Sequence, residues 1–211
     1  MKTLIISNGD ILNNKLLMKE CKKADYIICA DGGTNHLNSL GVLPDLIVGD
    51  LDSIDKNMLN IMQEKKVEFL KFPVKKDKTD TELAIDYAIE HGSREITLVG
   101  VTGSRLDHTL ANIMLLKKIL YKGVQGKIID NKNEIYITNG NLVLDKREGF
   151  YVSLVPLTEK LEKVTLRGVE YETYELNFYQ DSSFGISNKI IEDKGYISFE
   201  KGISLVILSK D

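Results

Sequence analysis

Leu46-Ile47-Val48-Gly49-Asp50-Leu51-Asp52-Ser53 is the stretch that decides the fold, because an apolar run ends there abruptly in two carboxylates. Leu46 to Val48 predicts a short buried strand. Alternate side chains of an extended chain share a face, so Asp50 and Asp52 would project together, about 6 to 7 Å apart. Two anions this close favour a cation, and Mg²⁺ fits because it prefers hard oxygen ligands together with water and substrate phosphates. The alternative is that both aspartates cap a turn or a helix that begins near Asp55.

Four more apolar runs in the first 130 residues end in polar motifs. Thr3–Ile6 ends at Asn8-Gly9, Tyr26–Ala30 ends at Asp31-Gly32-Gly33, Val67–Phe72 leads to Asp77-x-x-Asp80, and Ile96–Val99 leads to Thr102-Gly103-Ser104-Arg105-Leu106-Asp107-His108. Helical periodicity lies between the runs. It is clearest from Asp80 to about His91, where Thr79 and Glu82 form a T-x-x-E capping box, and from Leu110 to Leu120. This alternation predicts a doubly wound, mainly parallel α/β sheet, which binds ligands at the carboxyl ends of its strands.

The chain changes character after about Ile129. Seven short β-rich segments follow, separated by Gly, Asn or Asp turns and without a helical period: Glu134–Thr138, Asn141–Leu144, Phe150–Val155, Lys163–Leu166, Ile186–Ile190, Tyr196–Phe199 and Ile203–Leu208. We therefore expect an α/β catalytic domain over residues 1–128 and an all-β sandwich domain over residues 129–211.

Composition limits the classes of function. A chain of 211 residues with 43% hydrophobic and 28% charged residues is typical of a globular protein, and its net charge of -3 gives no basic field for nucleic acid. No segment is long enough to span a bilayer, and Met1–Ile6 is too short for a signal sequence, so we expect a cytoplasmic protein. Cys21 and Cys29 show no metal or disulfide spacing, which predicts buried free thiols.

The phosphate-binding motifs are not the common ones. Neither G-x-x-x-x-G-K-[ST] nor G-x-G-x-x-G occurs. The Asp31-Gly32-Gly33 turn could still present backbone N–H groups to a phosphate, although a tight turn with a helix cap is the more common meaning of this motif alone. Asp77 and Asp80 stand beside Lys75, Lys76 and Lys78, a pattern that fits either a metal and polyphosphate site or a solvated surface cluster.

The run from Thr102 to His108 is the most informative. Arg105 offers a guanidinium fork for phosphate oxygens, and Asp107 offers a carboxylate at a helix start. His108 fits a capping or supporting role as well as proton transfer. The acidic strand ends together, Asp31, Asp50, Asp52, Asp77, Asp80 and Asp107, indicate metal ions that reverse the local charge. The chemistry predicted is Mg²⁺-assisted phosphoryl or pyrophosphoryl transfer from a nucleotide.

In order along the chain, these motifs resemble those of the thiamine pyrophosphokinases: DGG at 31–33, PDLIVGDLDS at 44–53, KDKTD at 76–80, TGSRLDH at 102–108 and ISN at 186–188. The resemblance implies transfer of the pyrophosphoryl group of ATP to the hydroxyl of thiamine, giving thiamine diphosphate and AMP. It also implies a homodimer of α/β and β-sandwich domains that binds thiamine at its interface.

The resemblance also implies roles for particular residues. Asp50, Asp52 and Asp80 would hold Mg²⁺ and act in catalysis with Arg105 and Asp107. ATP would be bound by Asp31, Gly32, Gly33, Asp77, Thr102, Gly103, Arg105 and His108, and thiamine by Ser187 and Asn188. Two departures stand out: Ser104 replaces a glycine found in many relatives, and the chain has no Trp, so Phe184 or a tyrosine would have to stack on thiamine. The alternatives left open are a hydroxymethylpterin pyrophosphokinase and a non-enzymatic nucleotide-binding module.

Overall fold

The computed structural model of the chain describes residues 1–10, 13–50, 56–73 and 77–211; the predicted site residue Asp52, together with Lys75 and Lys76, lies outside them. The chain forms two compact units, Met1–Asn131 and Lys132–Asp211. No helix in the described ranges is both long enough and apolar enough to cross a membrane.

The first unit alternates strands and helices, as predicted. In chain order its elements are β1 (Lys2–Ile6), α1 (Asn14–Lys23), β2 (Tyr26–Ala30), a 3₁₀ turn (Asp31–Thr34), α2 (Asn35–Asn38), β3 (Leu46–Gly49), α3 (Lys56–Glu64), β4 (Glu68–Lys71), α4 (Asp80–Glu90), β5 (Glu95–Val99), α5 (Leu106–Tyr121) and β6 (Gln125–Ile129).

The six strands pair in the order β4-β3-β2-β1-β5-β6, and every pair is parallel. From β1 the chain winds outward through β2, β3 and β4, and then returns to the other side of β1 with β5 and β6. The direction of winding therefore reverses between β1 and β5. Sheets of this kind form a ligand crevice beyond the carboxyl ends of the strands at such a switch point.

Helices cover both faces of this sheet. Leu4 and Ile6 of β1 share a buried cluster with Leu17 and Cys21 of α1. Ile5, between them in sequence, is also buried and faces the other side because strand side chains alternate. Helix α4 packs on β1, β2 and β3 through a buried stripe, which includes Ala84, Ile85 and Ala88. Burial on both faces explains why the strands are continuously apolar in sequence.

Helix α4 begins and ends where the sequence predicts. The Thr79 hydroxyl accepts a hydrogen bond from the Glu82 backbone N–H at 3.2 Å, which caps the first turn. The Glu82 carboxylate does not complete a capping box, because it accepts a bond from Lys118 of α5 at 2.9 Å. The cap fixes the position of Asp80, the first residue of the helix.

The second unit has two antiparallel sheets made of β7 (Asn133–Thr138), β8 (Leu142–Asp145), β9 (Tyr151–Pro156), β10 (Lys160–Arg167), β11 (Thr173–Tyr179), β12 (Lys194–Ser198) and β13 (Ser204–Ser209). Within this unit the strand orders are β7-β13-β9 and β11-β10-β12-β8. Leu154, Val164, Phe178, Ile197 and Val206 belong to the core that both sheets contribute to. The predicted β-sandwich is confirmed.

Two details of the predicted sandwich were wrong. The segment Ile186–Ile190 is not a strand, because Gly185 and Ser187 have φ of 99° and 59° and break the extended chain; only isolated bridges join Asn188 to Val152 and Ile190 to Val169. Strand β11 was not expected from the sequence. Phe178 is its one buried residue, so it lacks the alternation that identifies a half-buried strand.

Candidate active site

Two predicted acidic residues meet at Gly49, the last residue of β3. A β-carbon built on Gly49 would lie 3.1 Å from Cβ of Asp31 and 3.3 Å from Cγ of Asp80. Gly49 also has a φ of 149°, which side-chain-bearing residues rarely adopt. Asp50 follows directly. The ends of β2 and β3 and the start of α4 therefore bring Asp31, Asp50 and Asp80 to one edge of the sheet.

Asp31 is held in an unusual state. Its φ of 46° lies in the left-handed region, which costs a non-glycine residue about 1 to 3 kcal/mol. Its Oδ1 atom is buried, and no described residue donates a hydrogen bond to it. A buried carboxylate oxygen without a donor is costly unless a cation or another ligand pairs with it. This strained and incompletely paired aspartate is therefore a strong candidate for a ligand-binding group.

The described residues do not form a complete metal site by themselves. They contain no group of three or more His, Cys, Asp or Glu side chains arranged to hold a metal ion. The predicted ligand Asp52 lies outside the described residues. Mg²⁺ commonly uses only one or two carboxylates together with water and substrate phosphates, so the oxygen donors at this edge fit that ion.

Beside the acidic edge, the loops after β1, β2 and β5 are packed together through glycines. A β-carbon on Gly33 would lie 2.0 Å from the Ile6 carbonyl oxygen, and one on Gly9 would lie 2.4 Å from the Gly100 carbonyl oxygen. The space next to Gly32 is filled by the Asn8 side chain, because a β-carbon on Gly32 would lie 2.6 Å from Nδ2 of Asn8. The glycines of the predicted phosphate turn thus allow close packing of protein on protein.

A cavity of about 360 Å³ opens at the β1/β5 switch point. It is lined by four of the residues predicted to bind ATP, namely Thr102, Gly103, Arg105 and His108. The lining also includes residues that the sequence analysis did not assign to the site: Ser7, Asn8, Gly9, Asp10, Thr81, Gly100, Val101, Ser104, Thr109 and Asn112. Asn8-Gly9 was recognised as a polar motif at the end of an apolar strand, and its neighbours Ser7 and Asp10 share that position, which was the available signal.

Hydrogen bonds join the loops that line this cavity. The backbone N–H groups of Gly9 and Asp10 donate to the carbonyls of Gly100 and Thr102, at 2.6 and 2.8 Å. The hydroxyls of Ser7 and Thr81 are 2.8 Å apart, and Thr81 directly follows Asp80. The cavity therefore borders the acidic edge at Thr81, the residue that follows Asp80.

Arg105 and Asp107 form an ion pair with each other. Two guanidinium nitrogens of Arg105 donate to the two oxygens of Asp107, Nη2 at 2.7 Å and Nε at 3.3 Å. These bonds hold the pKa of the Asp107 carboxyl below its usual range. Both side chains are about two-thirds exposed, so the pair is accessible to solvent and to a ligand.

Lys78 and Asp77 precede α4 without reaching this cavity. Lys78 bonds Asp86 of the same helix at 2.8 Å, and Asp86 also pairs with Lys118. Although burial acts in the opposite direction, the bonds from Lys118 and Lys78 hold the pKa of Asp86 below its usual range. Asp77 is exposed in the turn before the helix. Among the described residues of this segment that were predicted to bind a metal and polyphosphate, Asp80 lies at the acidic edge.

His36 of α2 supports the loop after β1. It is buried, and burial lowers its pKa, while hydrogen bonding to the backbone of Gly9 and Ser7 acts in the opposite direction. Its Nε2 atom has no hydrogen-bond partner in the described part of the chain. The ring is therefore neutral at pH 7, and its hydrogen bonding is directed to Ser7 and Gly9 in the loop that lines the cavity.

The two residues predicted to bind thiamine lie in the second unit and differ in environment. Asn188 is buried; its side chain accepts a bond from the Tyr171 backbone N–H at 3.0 Å and donates to the Tyr171 carbonyl at 2.8 Å. Ser187 is exposed, and its backbone N–H donates to the Ser153 hydroxyl at 3.0 Å. Beside them is a cavity of about 440 Å³ whose lining includes Tyr171, Phe178, Phe184 and Asn188. Phe184 packs edge-on against Phe178, with ring centroids 4.8 Å apart.

Two family models match the chain: "Thiamin pyrophosphokinase, catalytic domain" over residues 17–128 and "Thiamin pyrophosphokinase, vitamin B1 binding domain" over residues 140–204. The thiamine pyrophosphokinase of Bacillus subtilis is 34% identical over 186 residues, which are 87% of each chain. Its crystal structure matches over the whole of both chains with a TM-score of 0.90 at 30% identity. That of the Geobacillus thermodenitrificans protein covers 100% of this chain and 98% of its own, with a TM-score of 0.87 at 30% identity. The chain belongs to the thiamine pyrophosphokinase family.

Proposed function

We propose that this chain is an enzyme that transfers the pyrophosphoryl group of ATP to the hydroxyl of thiamine, giving thiamine diphosphate and AMP. The observation that carries the proposal is the meeting of Asp31 and Asp80 at Gly49, next to the cavity at the β1/β5 switch point. Carboxylates at this edge would bind a metal–polyphosphate group, and the cavity would hold the rest of the nucleotide. Family membership supports thiamine as the acceptor.

Asp50 and Asp80, with the buried oxygen of Asp31 and with Asp52, would hold Mg²⁺. Magnesium bound there would neutralise the charge that spreads over the phosphoryl oxygens during transfer. The N-terminal turns of α4 and α5 add backbone N–H groups and favourable dipoles for an anion. Arg105 can exchange Asp107 for a phosphate, because a guanidinium fork fits both groups. A carboxylate oxygen of Asp80 accepts a hydrogen bond from the thiamine hydroxyl and so orients it for attack.

The aromatic cavity of the second unit suits thiamine. Thiamine carries a cationic ring and an uncharged aromatic ring, and aromatic side chains bind cations through their faces. Tyr171 and Phe184 line the cavity, so either can provide the stacking that the absence of Trp leaves open. Asn188 acts here by holding the Tyr171 backbone. The match to the vitamin B1 binding domain favours thiamine over a hydroxymethylpterin.

The reaction is tested by incubating the protein with ATP, MgCl₂ and thiamine and by separating the nucleotides. We expect AMP and thiamine diphosphate in equal amounts, and none when EDTA replaces MgCl₂ or when hydroxymethyldihydropterin replaces thiamine. Formation of ADP and thiamine monophosphate would disprove pyrophosphoryl transfer. Binding of ATP without any turnover would favour the non-enzymatic nucleotide-binding module.

The acidic edge is tested with two variants of the same helix. Asp80→Asn should lower kcat by about two orders of magnitude or more, because charge stabilisation and positioning supply most of the catalysis in such transfers. Glu90→Gln, an exposed change at the other end of α4, should leave kcat unchanged. Equal activities of the two variants would remove Asp80 from the proposed site.

A homodimer is part of the proposal. On α5, which begins beside the cavity, Leu106, Leu110 and Met114 follow at four-residue spacing and are 66%, 49% and 47% exposed. An apolar stripe of this kind suits a subunit interface. Sedimentation of the protein should give twice the mass of one chain, and Leu110→Glu should give the monomer. A wild-type monomer would contradict this part of the proposal.

Sites shared between the two chains can be tested by co-expression. We mix an Asp80→Asn chain with a Phe184→Ala chain, each nearly inactive alone. With random pairing, half of the dimers are mixed, and each mixed dimer has one intact site if sites are shared, so about a quarter of the activity should return. No recovery in a preparation shown to contain mixed dimers would place each site within one chain.

The proposed location is the cytoplasm, since the two free buried thiols suit a reducing compartment.

A further inference from the structure

Around Asp10, the cavity at the β1/β5 switch point has a charge pattern that does not suit a triphosphate. Of its described lining residues, the titratable ones are Asp10, Arg105 and His108. The charge of Arg105 is already balanced by Asp107 at 2.7 Å. Asp10 therefore gives this space a hydrogen-bond acceptor with a negative charge. A group that donates hydrogen bonds and carries no negative charge of its own fits there best.

The strand order sets the direction in which a nucleotide would lie. The acids that would bind the metal and the phosphates follow β2 and β3, whereas Asp10 follows β1. With neighbouring strands about 4.8 Å apart, the end of β1 lies about 5 to 10 Å from those acids. In ATP the ribose comes directly after the α-phosphate, and the base lies beyond it. Phosphates at the ends of β2 and β3 therefore place the ribose near Asp10, with the base farther from the acids than the ribose.

The backbone fixes Asp10 at this position. Its N–H donates to the Thr102 carbonyl at 2.8 Å, and its Oδ1 lies 3.3 Å from a β-carbon built on Gly103. No hydrogen bond or ion pair joins its carboxylate to another residue in the described ranges, so both oxygens are available to a ligand. Two neighbouring hydroxyls, as in ribose, match the two oxygens of one carboxylate.

We propose that Asp10 accepts hydrogen bonds from the ribose hydroxyls of the nucleotide and thereby makes this enzyme selective for ribonucleotides over deoxyribonucleotides. The proposal rests on the function proposed above, because it assumes that the nucleotide occupies this cavity. It assigns a specificity-determining role to a residue outside the motifs of the sequence analysis.

The test compares ATP, 2′-deoxy-ATP, 3′-deoxy-ATP and ITP as substrates of the wild type, Asp10→Asn and the exposed control Glu64→Gln. A hydrogen bond to a charged group is worth about 10- to 100-fold in affinity, so the wild type should have a kcat/KM lower by that factor for at least one deoxynucleotide. Asp10→Asn, which keeps only an uncharged acceptor oxygen, should reduce this ratio severalfold. ITP, which changes only the base, should keep the same ratio to ATP in all three proteins.

Three results would overturn the assignment. The first is a wild type that uses ATP and both deoxynucleotides equally well. The second is an Asp10→Asn variant that loses the same factor with every nucleotide, as a purely structural role would require. The third is a changed ratio of ITP to ATP, which would place Asp10 at the base. Melting temperatures of all variants show whether each is folded.

Failure of the proposed reaction is detected separately. If the wild type forms no AMP from ATP and thiamine, calorimetric titration with ADP and 2′-deoxy-ADP measures the same ribose preference without turnover. A preference that disappears in Asp10→Asn then supports the assignment of Asp10 although the reaction is different. Equal binding of both nucleotides by the wild type overturns it.

Discussion

Replacing Gly33 by alanine tests the packing that positions the acidic edge. A β-carbon at Gly33 would lie 2.0 Å from the Ile6 carbonyl oxygen, whereas ordinary contacts begin at 3.4 Å. The obstacle is a backbone atom of a central strand, which no change of rotamer can move. The 3₁₀ turn and β1 would therefore have to separate by more than about 1 Å. The φ of Gly33 is not positive, so the expected effect is purely steric.

The expected loss of stability follows from this geometry. Overpacking a well-packed core costs about 1 to 3 kcal/mol, and a rigid backbone obstacle places Gly33→Ala near the upper limit, at about 2 to 3 kcal/mol. For a chain of this size, 1 kcal/mol changes the melting temperature by about 2 to 4 °C. We therefore expect Gly33→Ala to melt about 5 to 10 °C below the wild type. Asp31, two residues earlier, would move with the turn, so kcat should also fall by about 100-fold.

Two other glycines provide matched controls. Gly41 has a φ of 62° but no atom within 4 Å of a built β-carbon, so Gly41→Ala carries only the left-handed penalty of about 1 kcal/mol. Gly140 has neither a positive φ nor a close neighbour, and Gly140→Ala should be within about 0.5 kcal/mol of the wild type. Differential scanning calorimetry and the AMP assay are run on all four proteins. If Gly33→Ala has the same melting temperature as Gly140→Ala and keeps the kcat of the wild type, close packing at Gly33 does not position the site.

Three further predictions concern buried polar groups. Asn188→Leu leaves the N–H and carbonyl of Tyr171 without partners, so the free energy of unfolding in urea should fall by about 2 to 4 kcal/mol; an unchanged value would contradict this. Burial lowers the pKa of His36, so its stabilising contribution is present above the unfolded pKa near 6.5 and decreases below it. Lowering the pH from about 7.5 to 5.5 should therefore reduce the melting temperature of the wild type more than that of His36→Gln, and equal reductions would contradict the assignment. Burial raises the pKa of Cys21 to about 11 and also raises that of Cys29 well above its usual value, so neither thiol should react with a disulfide reagent at pH 8 until urea unfolds the protein; rapid reaction of the folded protein would refute this.

The features that were predictable from the sequence are encoded locally. Strands β1, β2, β3 and β5 are short apolar runs that end in polar turns, and the capping threonine fixed the start of α4 at Asp80. Parallel pairing then follows from the helices between the strands, and with it the expectation that the strand ends share one edge. The family motifs add the assignment of residues to roles, which the structure leaves as proposals.

The features that were not predictable depend on contacts between distant segments. Asp10 is an ordinary turn residue in sequence, and it becomes part of the cavity only because β1 lies beside β5. The glycines of the turn after β2 suggested an approach to phosphate, but Gly32 and Gly33 face Asn8 and Ile6 of the β1 segment. In the same way, Asn188 belongs to a motif that resembles a thiamine contact, and its buried side chain holds Tyr171. Residue type and spacing do not contain this information.

Arg105 shows how an observed contact can agree with two interpretations. The sequence suggested a fork for phosphate, and the structure pairs that fork with Asp107. Because both side chains are largely exposed, water already weakens their attraction, and exchanging the carboxylate for a phosphate costs little. The pairing also keeps the guanidinium oriented at the cavity before a nucleotide arrives. The ion pair is therefore compatible with the proposed phosphate contact, in which Asp107 would hold Arg105 in place until a phosphate replaces it.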